Sequence, residues 1–154
     1  MSGIRVVQEP NPYNYQSCIL ANSAHLDPDD PVYIDSSGFL NKATTSSKVQ
    51  GYYVGASVTA TSDNQTVALQ EGTYQPVMAG GGTVFEGTAD QACTQTDIGA
   101  YADFAINTNA FTINLAAGAS GQVEIIDFDP NNDGTTTLVR FVIAEPQALA
   151  FAQA

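Results

Sequence analysis

Apolar side chains in this chain come in short clusters rich in Val, Ile, Tyr, Phe and Thr, each broken by Gly, Asn or Asp. That spacing predicts short strands joined by tight turns. Val32-Tyr33-Ile34 and Phe39-Leu40 flank Asp35-Ser36-Ser37-Gly38, a turn signal, and together predict a hairpin. Between residues 50 and 61, Tyr52-Tyr53-Val54 and Val58 surround Gly55, which predicts a bulge or a close backbone approach. Thr66-Val67-Ala68-Leu69 and Tyr74-Gln75-Pro76-Val77-Met78 follow as strands. The second is expected at an edge or interrupted, because Pro76 has no N–H to give to a ladder.

The three clearest strands close the chain: Phe111-Thr112-Ile113-Asn114-Leu115, residues 122–128 and residues 136–143. In the second, Val123, the Ile125-Ile126 pair and Phe128 share one face only if a bulge lies between them. The last two are expected to pair as a hairpin across residues 129–135. The best helix candidate is Thr88-Ala89-Asp90-Gln91-Ala92-Cys93, with Thr88 or Asp90 as cap. It is short, and Thr94, Thr96 and Gly99 oppose its extension.

The first 28 residues have neither period and carry Pro10, Pro12 and Pro28, so they read as an extended N-terminal arm. Its apolar residues, Ile4, Val6, Val7, Tyr13, Tyr15, Ile19 and Leu20, are too many for a solvated tail. The arm therefore lies on something, either its own barrel or a partner. Many short strands without a long helix predict an all-β fold, a small barrel or sandwich of short antiparallel strands. The expected organisation is an arm over residues 1–28, a β-barrel domain over 29–146 and a weakly apolar tail over 147–154.

Composition narrows the function. The 154 residues suit one domain with a sizeable core. Charged residues are only 13%, and four Lys and Arg against sixteen Asp and Glu leave a net charge of −12. Binding nucleic acid through its phosphates, or an anionic membrane, is therefore disfavoured. The start has no apolar secretory segment and no stretch is long and apolar enough to span a bilayer, so a soluble, cytosolic product is expected.

Candidate chemistry is sparse. Cys18 and Cys93 are 75 positions apart, with neither zinc spacing nor a disulfide framework, and read as reduced apolar thiols. His25, the single histidine, reads as an ordinary loop residue. Asp129-Pro130-Asn131-Asn132-Asp133-Gly134 matches the first half of a calcium loop, but the twelfth position, where a Glu is needed, is Arg140. A plain hairpin loop is the better reading. Gly80-Gly81-Gly82 lacks the following helix and Lys of a phosphate loop and reads as a turn. Paired carboxylates for glycoside hydrolysis would come from Asp127, Asp129, Asp103, Glu124 or Glu86, pairs that sixteen acids also make by chance. Asn64-Gln65-Thr66 fits a glycosylation acceptor, which has meaning only on a secretory route. No enzyme, cofactor or metal is expected. Seven tyrosines and no tryptophan suit a protein interface better than a sugar platform. A surface adhesin that binds carbohydrate is the alternative, with Tyr52 and Tyr53 as its first residues to test.

The order of segments carries a resemblance. Asp30-Pro31-Val32-Tyr33-Ile34-Asp35, Gly38-Phe39-Leu40-Asn41-Lys42-Ala43-Thr44, Lys48-Val49-Gln50-Gly51-Tyr52-Tyr53-Val54, Tyr74-Gln75-Pro76-Val77, Thr96-Asp97-Ile98-Gly99 and Gly121-Gln122-Val123-Glu124-Ile125-Ile126 follow one another. From about residue 18 to residue 145 the chain resembles the capsid decoration, or head cement, proteins of tailed bacteriophages. The resemblance implies a non-catalytic virion protein made in the bacterial cytoplasm. It would bind the outside of the expanded capsid, commonly as a homotrimer, and bridge neighbouring major capsid protein subunits against internal DNA pressure. No residue set transfers from the family. The candidate capsid contacts are the arm's own Ile4, Val6, Val7, Tyr13 and Tyr15, which would add a strand to the capsid protein or run along a groove of it.

Overall fold

Strands β1 (Ile4–Gln8), β2 (Tyr15–Ile19), β3 (His25–Leu26), β4 (Pro31–Ile34), β5 (Leu40–Lys42), β6 (Gly51–Tyr53) and β7 (Val58–Thr59) form the first half of the protein. The second half holds β8 (Thr66–Glu71), β9 (Val84–Thr88), β10 (Tyr101–Asn107), β11 (Ala110–Asn114), β12 (Val123–Phe128) and β13 (Leu138–Ile143). The structure, a computed structural model, describes residues 3–61, 65–72, 82–118, 120–128 and 134–144. The strand expected over 74–78, Gly80, Gly81, Asn64, residues 129–133 and the tail 147–154 lie outside the described residues.

The fold is all-β, as the short apolar clusters predict. One sheet runs β1-β9-β13-β12-β10-β11, a second runs β2-β8-β6-β4-β5, and β3 pairs with β7 alone. Every ladder between named strands is antiparallel. Both large sheets curl until distant parts meet. Ala89, just past β9, bridges Ile113 of β11, and Leu20, just past β2, bridges Leu40 of β5, each in parallel.

Each curled sheet encloses apolar side chains. The larger core is built on Phe85, Phe104, Phe111 and Phe141, with Phe85 and Phe141 stacked at 5.5 Å and Phe104 edge-on to Phe111 at 5.2 Å. Offset and edge-to-face ring pairs of this kind add about 0.5–1.5 kcal/mol each beyond the area they bury. The smaller core gathers Cys18, Leu20, Leu26, Val32, Leu40, Tyr53, Ala60 and Leu69. Strand β6 is the wall between them. It can lie so close to β8 because Gly51 has no side chain: a Cβ there would sit 2.1 Å from the Gln70 carbonyl oxygen.

Three sequence expectations meet the structure closely. Asp35 closes the β4–β5 hairpin by accepting the Ser37 and Phe39 N–H groups at 2.9 and 3.0 Å, with Gly38 at φ 89°. The β12–β13 register shifts between Ile125 and Asp127, so Val123, Ile125 and Phe128 all face inward. Gly55 lies just past β6, and the close approach there is made by a side chain: a Cβ would lie 2.2 Å from the Tyr53 hydroxyl, which donates to the Ala56 carbonyl at 2.7 Å.

Two expectations are corrected. Residues 88–93 form no helix: β9 runs through Thr88, Ala89 is held by its bridge to Ile113, and the chain makes one 3-10 turn later, at Gln95–Asp97. Its cap is Thr94, whose backbone N–H binds the Asp97 carboxylate at 2.8 Å. The stretch read as an arm contains three strands of the protein's own sheets: β1 pairs with β9, β2 with β8 and β3 with β7. Of the two resting places open to it in the sequence, its own sheets are the one it takes. The ladders supply hydrogen-bond partners that no local pattern reveals.

Candidate functional site

A sheet that ends in an open strand must deal with unpaired N–H and C=O groups, and native proteins blunt such edges with bulges, charges or covering segments. Three of the four terminal strands of the two larger sheets are blunted. On β1 the register shifts between Val6 and Gln8, and the Asp29 carboxylate takes the Val6 N–H at 3.1 Å. On β11 the Ala89 bridge is joined by the Asp90 N–H donating to the Ile113 carbonyl at 2.9 Å. On β5 the Leu20 bridge is joined by the Ala21 N–H donating to the Leu40 carbonyl at 3.0 Å.

Among the described residues, strand β2 has none of these devices along its length. Its residues, Tyr15-Gln16-Ser17-Cys18-Ile19, include no charge and no proline, and the register to β8 is regular over Tyr15↔Gln70 to Ile19↔Thr66. The Leu20 N–H donates to Gln65 and the Asn14 carbonyl accepts from Glu71, so the even-numbered residues turn their backbone groups toward β8. By alternation, Tyr15 and Ser17 turn theirs away. Among the described residues, β8 is the one ladder partner of β2.

Side chains reinforce this edge. Tyr13 is 80% exposed, Tyr15 54% and Ile19 42%, and the two tyrosine rings meet edge-on at 6.0 Å. Tyr13 sits at φ 66°, a left-handed conformation costly for a bulky residue, on a turn anchored by the Gln70 side-chain amide donating to the Asn11 carbonyl at 2.8 Å. An exposed ring thus stands on a strained backbone.

The five candidate contacts from the sequence divide accordingly. Tyr13 and Tyr15 are exposed along β2, whereas Val6 and Val7 are half-buried on β1. Ile4 is corrected to a core residue at 5% exposure: it packs over Gly87, where a Cβ would meet its Cδ1 at 2.6 Å. The sequence reading did not single out Ser17, nor Ile19 as a contact; Tyr15-x-Ser17-x-Ile19 against Cys18 and Leu20 is the alternation that marks them. Tyr52 and Tyr53, the first residues to test in the carbohydrate alternative, are buried at 6% and 5%, because β6 runs between the two cores.

The remaining polar residues serve the fold. Glu86 receives Arg5 at 2.6 Å and Arg140 at 3.4 Å, and Asp127 stands opposite Arg140, so charges alternate across four neighbouring strands. A cavity of about 400 Å³ beside this row is lined by Ile4, Arg5, Pro28, Asp29, Thr88 and Leu138, among others. Asp103 accepts the Ser120 and Gln122 N–H groups at 3.2 and 3.3 Å. Gln122, fully buried, takes the Phe104 N–H at 3.0 Å and donates to the Thr44 and Ser47 carbonyls at 2.8 Å. Asp129 lies outside the described residues.

His25 lies in β3, bonded to the Thr59 hydroxyl at 2.7 Å and to Asp27 at 3.3 Å. The Ser57 hydroxyl donates to Asp27 at 2.6 Å, and this bond, ahead of His25, holds the Asp27 carboxyl below the usual range. Both cysteines are buried and free, and burial raises both thiols, Cys93 to about 11 with help from Asp97 and Asp90. No helix among the described residues is long and apolar enough to cross a membrane. Comparison with family models, characterised proteins and solved structures found no match.

Proposed function

We propose that this protein is a structural component of a phage virion that binds the outer capsid surface and cements neighbouring major capsid protein subunits. The observation that carries the reading is the aromatic, uncharged edge of β2, where Tyr13, Tyr15 and Ile19 stand exposed in a row. Tyrosine presents a large rigid surface at low entropic cost and is enriched where proteins meet. The ordered likeness to head cement proteins supports the same reading. Its segments at residues 30–35, 38–44 and 48–54 build β4, β5 and β6, so they form the body that holds β2 through β8. As in that family, a homotrimer astride capsid subunits is the working arrangement.

The test is sedimentation of the protein with expanded, undecorated phage heads, counting bound copies per capsid subunit. Saturable binding at a lattice-defined ratio, with heads that resist higher temperature, is the expected result. Tyr13→Ala with Tyr15→Ala should weaken binding about tenfold or more, each interface tyrosine contributing about 1 kcal/mol or more. Absence of binding, or full binding by the double variant, rejects the respective part of the reading.

A further inference from the structure

We infer that β2 accepts a strand: a basic, extended segment of the partner adds to the second sheet as its sixth strand, hydrogen-bonded to the outward backbone of Tyr15 and Ser17. This deepens the function proposed above by naming the partner element. Three observations carry it. Among the described residues, this edge is the one of the four in the two larger sheets that lacks a blocking device, although the other three show that the fold has such devices to use. The outward N–H and C=O of Tyr15 and Ser17 repeat at the two-residue interval that a new antiparallel or parallel strand requires. Strand addition at exposed edges is a recurrent mode of peptide recognition, in which backbone bonds give affinity and side chains give choice.

Charge selects the occupant. Residues 6–41, which include β2, contain no Lys or Arg but do contain Glu9, Asp27, Asp29, Asp30 and Asp35. Glu71, at the end of the neighbouring β8, reaches the Asn14 side-chain amide beside this edge at 3.0 Å. Of the four basic residues, Arg5 and Arg140 are engaged by Glu86 and Lys42 by Asp30. A strand bearing Lys or Arg meets an anionic field, and its cations can lie over the faces of Tyr13 and Tyr15. An acidic strand would meet repulsion from a protein of net charge −12.

The experiment uses the full chain and two synthetic nonapeptides, one alternating Lys and Val, its twin alternating Glu and Val. The basic peptide should bind at least tenfold more tightly, lose affinity with added salt, and slow amide exchange at Tyr15 and Ser17. A version N-methylated at alternate residues, which cannot complete the ladder, should bind at least tenfold more weakly. Ser17→Pro removes one outward N–H at a position where an edge strand tolerates proline. It should give a similar loss, and Tyr15→Ser provides a second variant that leaves the backbone intact. Equal binding of both peptides, no binding of the basic one, or protection confined to other residues overturns the inference. If heads bind the protein while the basic peptide does not, the cement reading stands and this one falls. Peptide binding without head binding gives the reverse.

Discussion

Tyr52 and Tyr53 are consecutive on β6, yet their rings enter different cores: Tyr52 lies edge-on to Phe85 at 5.8 Å in the larger one, and Tyr53 packs with Leu69 and Val32 in the smaller. A strand alternates its faces, so a single strand buried on both sides ties the two cores together. Truncating either ring should cost about 3–5 kcal/mol, the range for aromatic-to-alanine changes in cores. The two-sided strand further requires that both cores unfold in one step. Thermal melts of Tyr52→Ala and Tyr53→Ala, followed by circular dichroism and by hydrogen exchange in each core, should give coincident transitions. Two separated transitions would show that β6 does not couple the cores.

Lys42 connects the same two regions. Its amine is 3.1 Å from Asp30, which is fully buried, donates to the Asn109 carbonyl at 2.9 Å, and lies 5.6 Å from the centre of the Phe111 ring. Lys42→Met strands a carboxylate in the interior and should cost about 3–5 kcal/mol in chemical denaturation. Adding Asp30→Asn should recover part of that loss, because the uncompensated charge is removed. If Lys42→Met is neutral, the pair is dispensable.

Acid stability should carry the marks of two aspartates with opposite shifts. The Phe39 N–H, ahead of Ser37 and Asn41, holds the Asp35 carboxyl below its ordinary value, so the folded chain binds the proton less readily than the unfolded one. Its contribution is present above the unfolded value of about 3.9 and is lost as pH falls through the lower folded value. Asp35→Asn should flatten the stability profile in that window. Asp29 is raised by burial, opposed by the Val6 N–H, and sits at φ 68°, where Asn is well tolerated. Asp29→Asn should therefore stabilise at neutral pH, and the gain should vanish as pH falls through the raised folded value. Urea denaturation across pH 2 to 8 reads both effects, and parallel profiles for wild type and variants would contradict them.

Both thiols should resist alkylation in the native protein at pH 8, since burial keeps Cys18 and Cys93 protonated and covered. In denaturant both should react at the rate of a free thiol. A thiol that reacts quickly under native conditions would place its strand among locally opening segments.

Much of the fold was legible because it is written locally. The Ile125-Ile126 doublet announced its bulge, and Asp35 with Gly38 announced its turn, since both depend on neighbouring residues. Strand β10 was missed: Ala102, Asp103 and Ala105 dilute its β-propensity, and Asp103 is tolerated inside because two N–H groups from residues 17 and 19 positions away meet it. The first strands were read as an arm because β1 finds β9 about 80 positions later, a partner absent from any local window. The exposed edge of β2 was half visible. Tyr13 and Tyr15 stood out by type, but Ile4 was grouped with them because burial against Gly87 is a property of the fold.

The charge row of Arg5, Glu86, Arg140 and Asp127, together with half-buried Lys42, has an effect at long range. Among the described residues it leaves Lys48 as the basic side chain, of the four, with no carboxylate against it, so the field outside the molecule is set almost entirely by acids. On a capsid, as proposed above, neighbouring trimers would repel one another over roughly the 8 Å screening distance of physiological salt. Close packing of one trimer against the next would thus be discouraged, each would be favoured where its own contacts hold it, and added salt would relax the spacing.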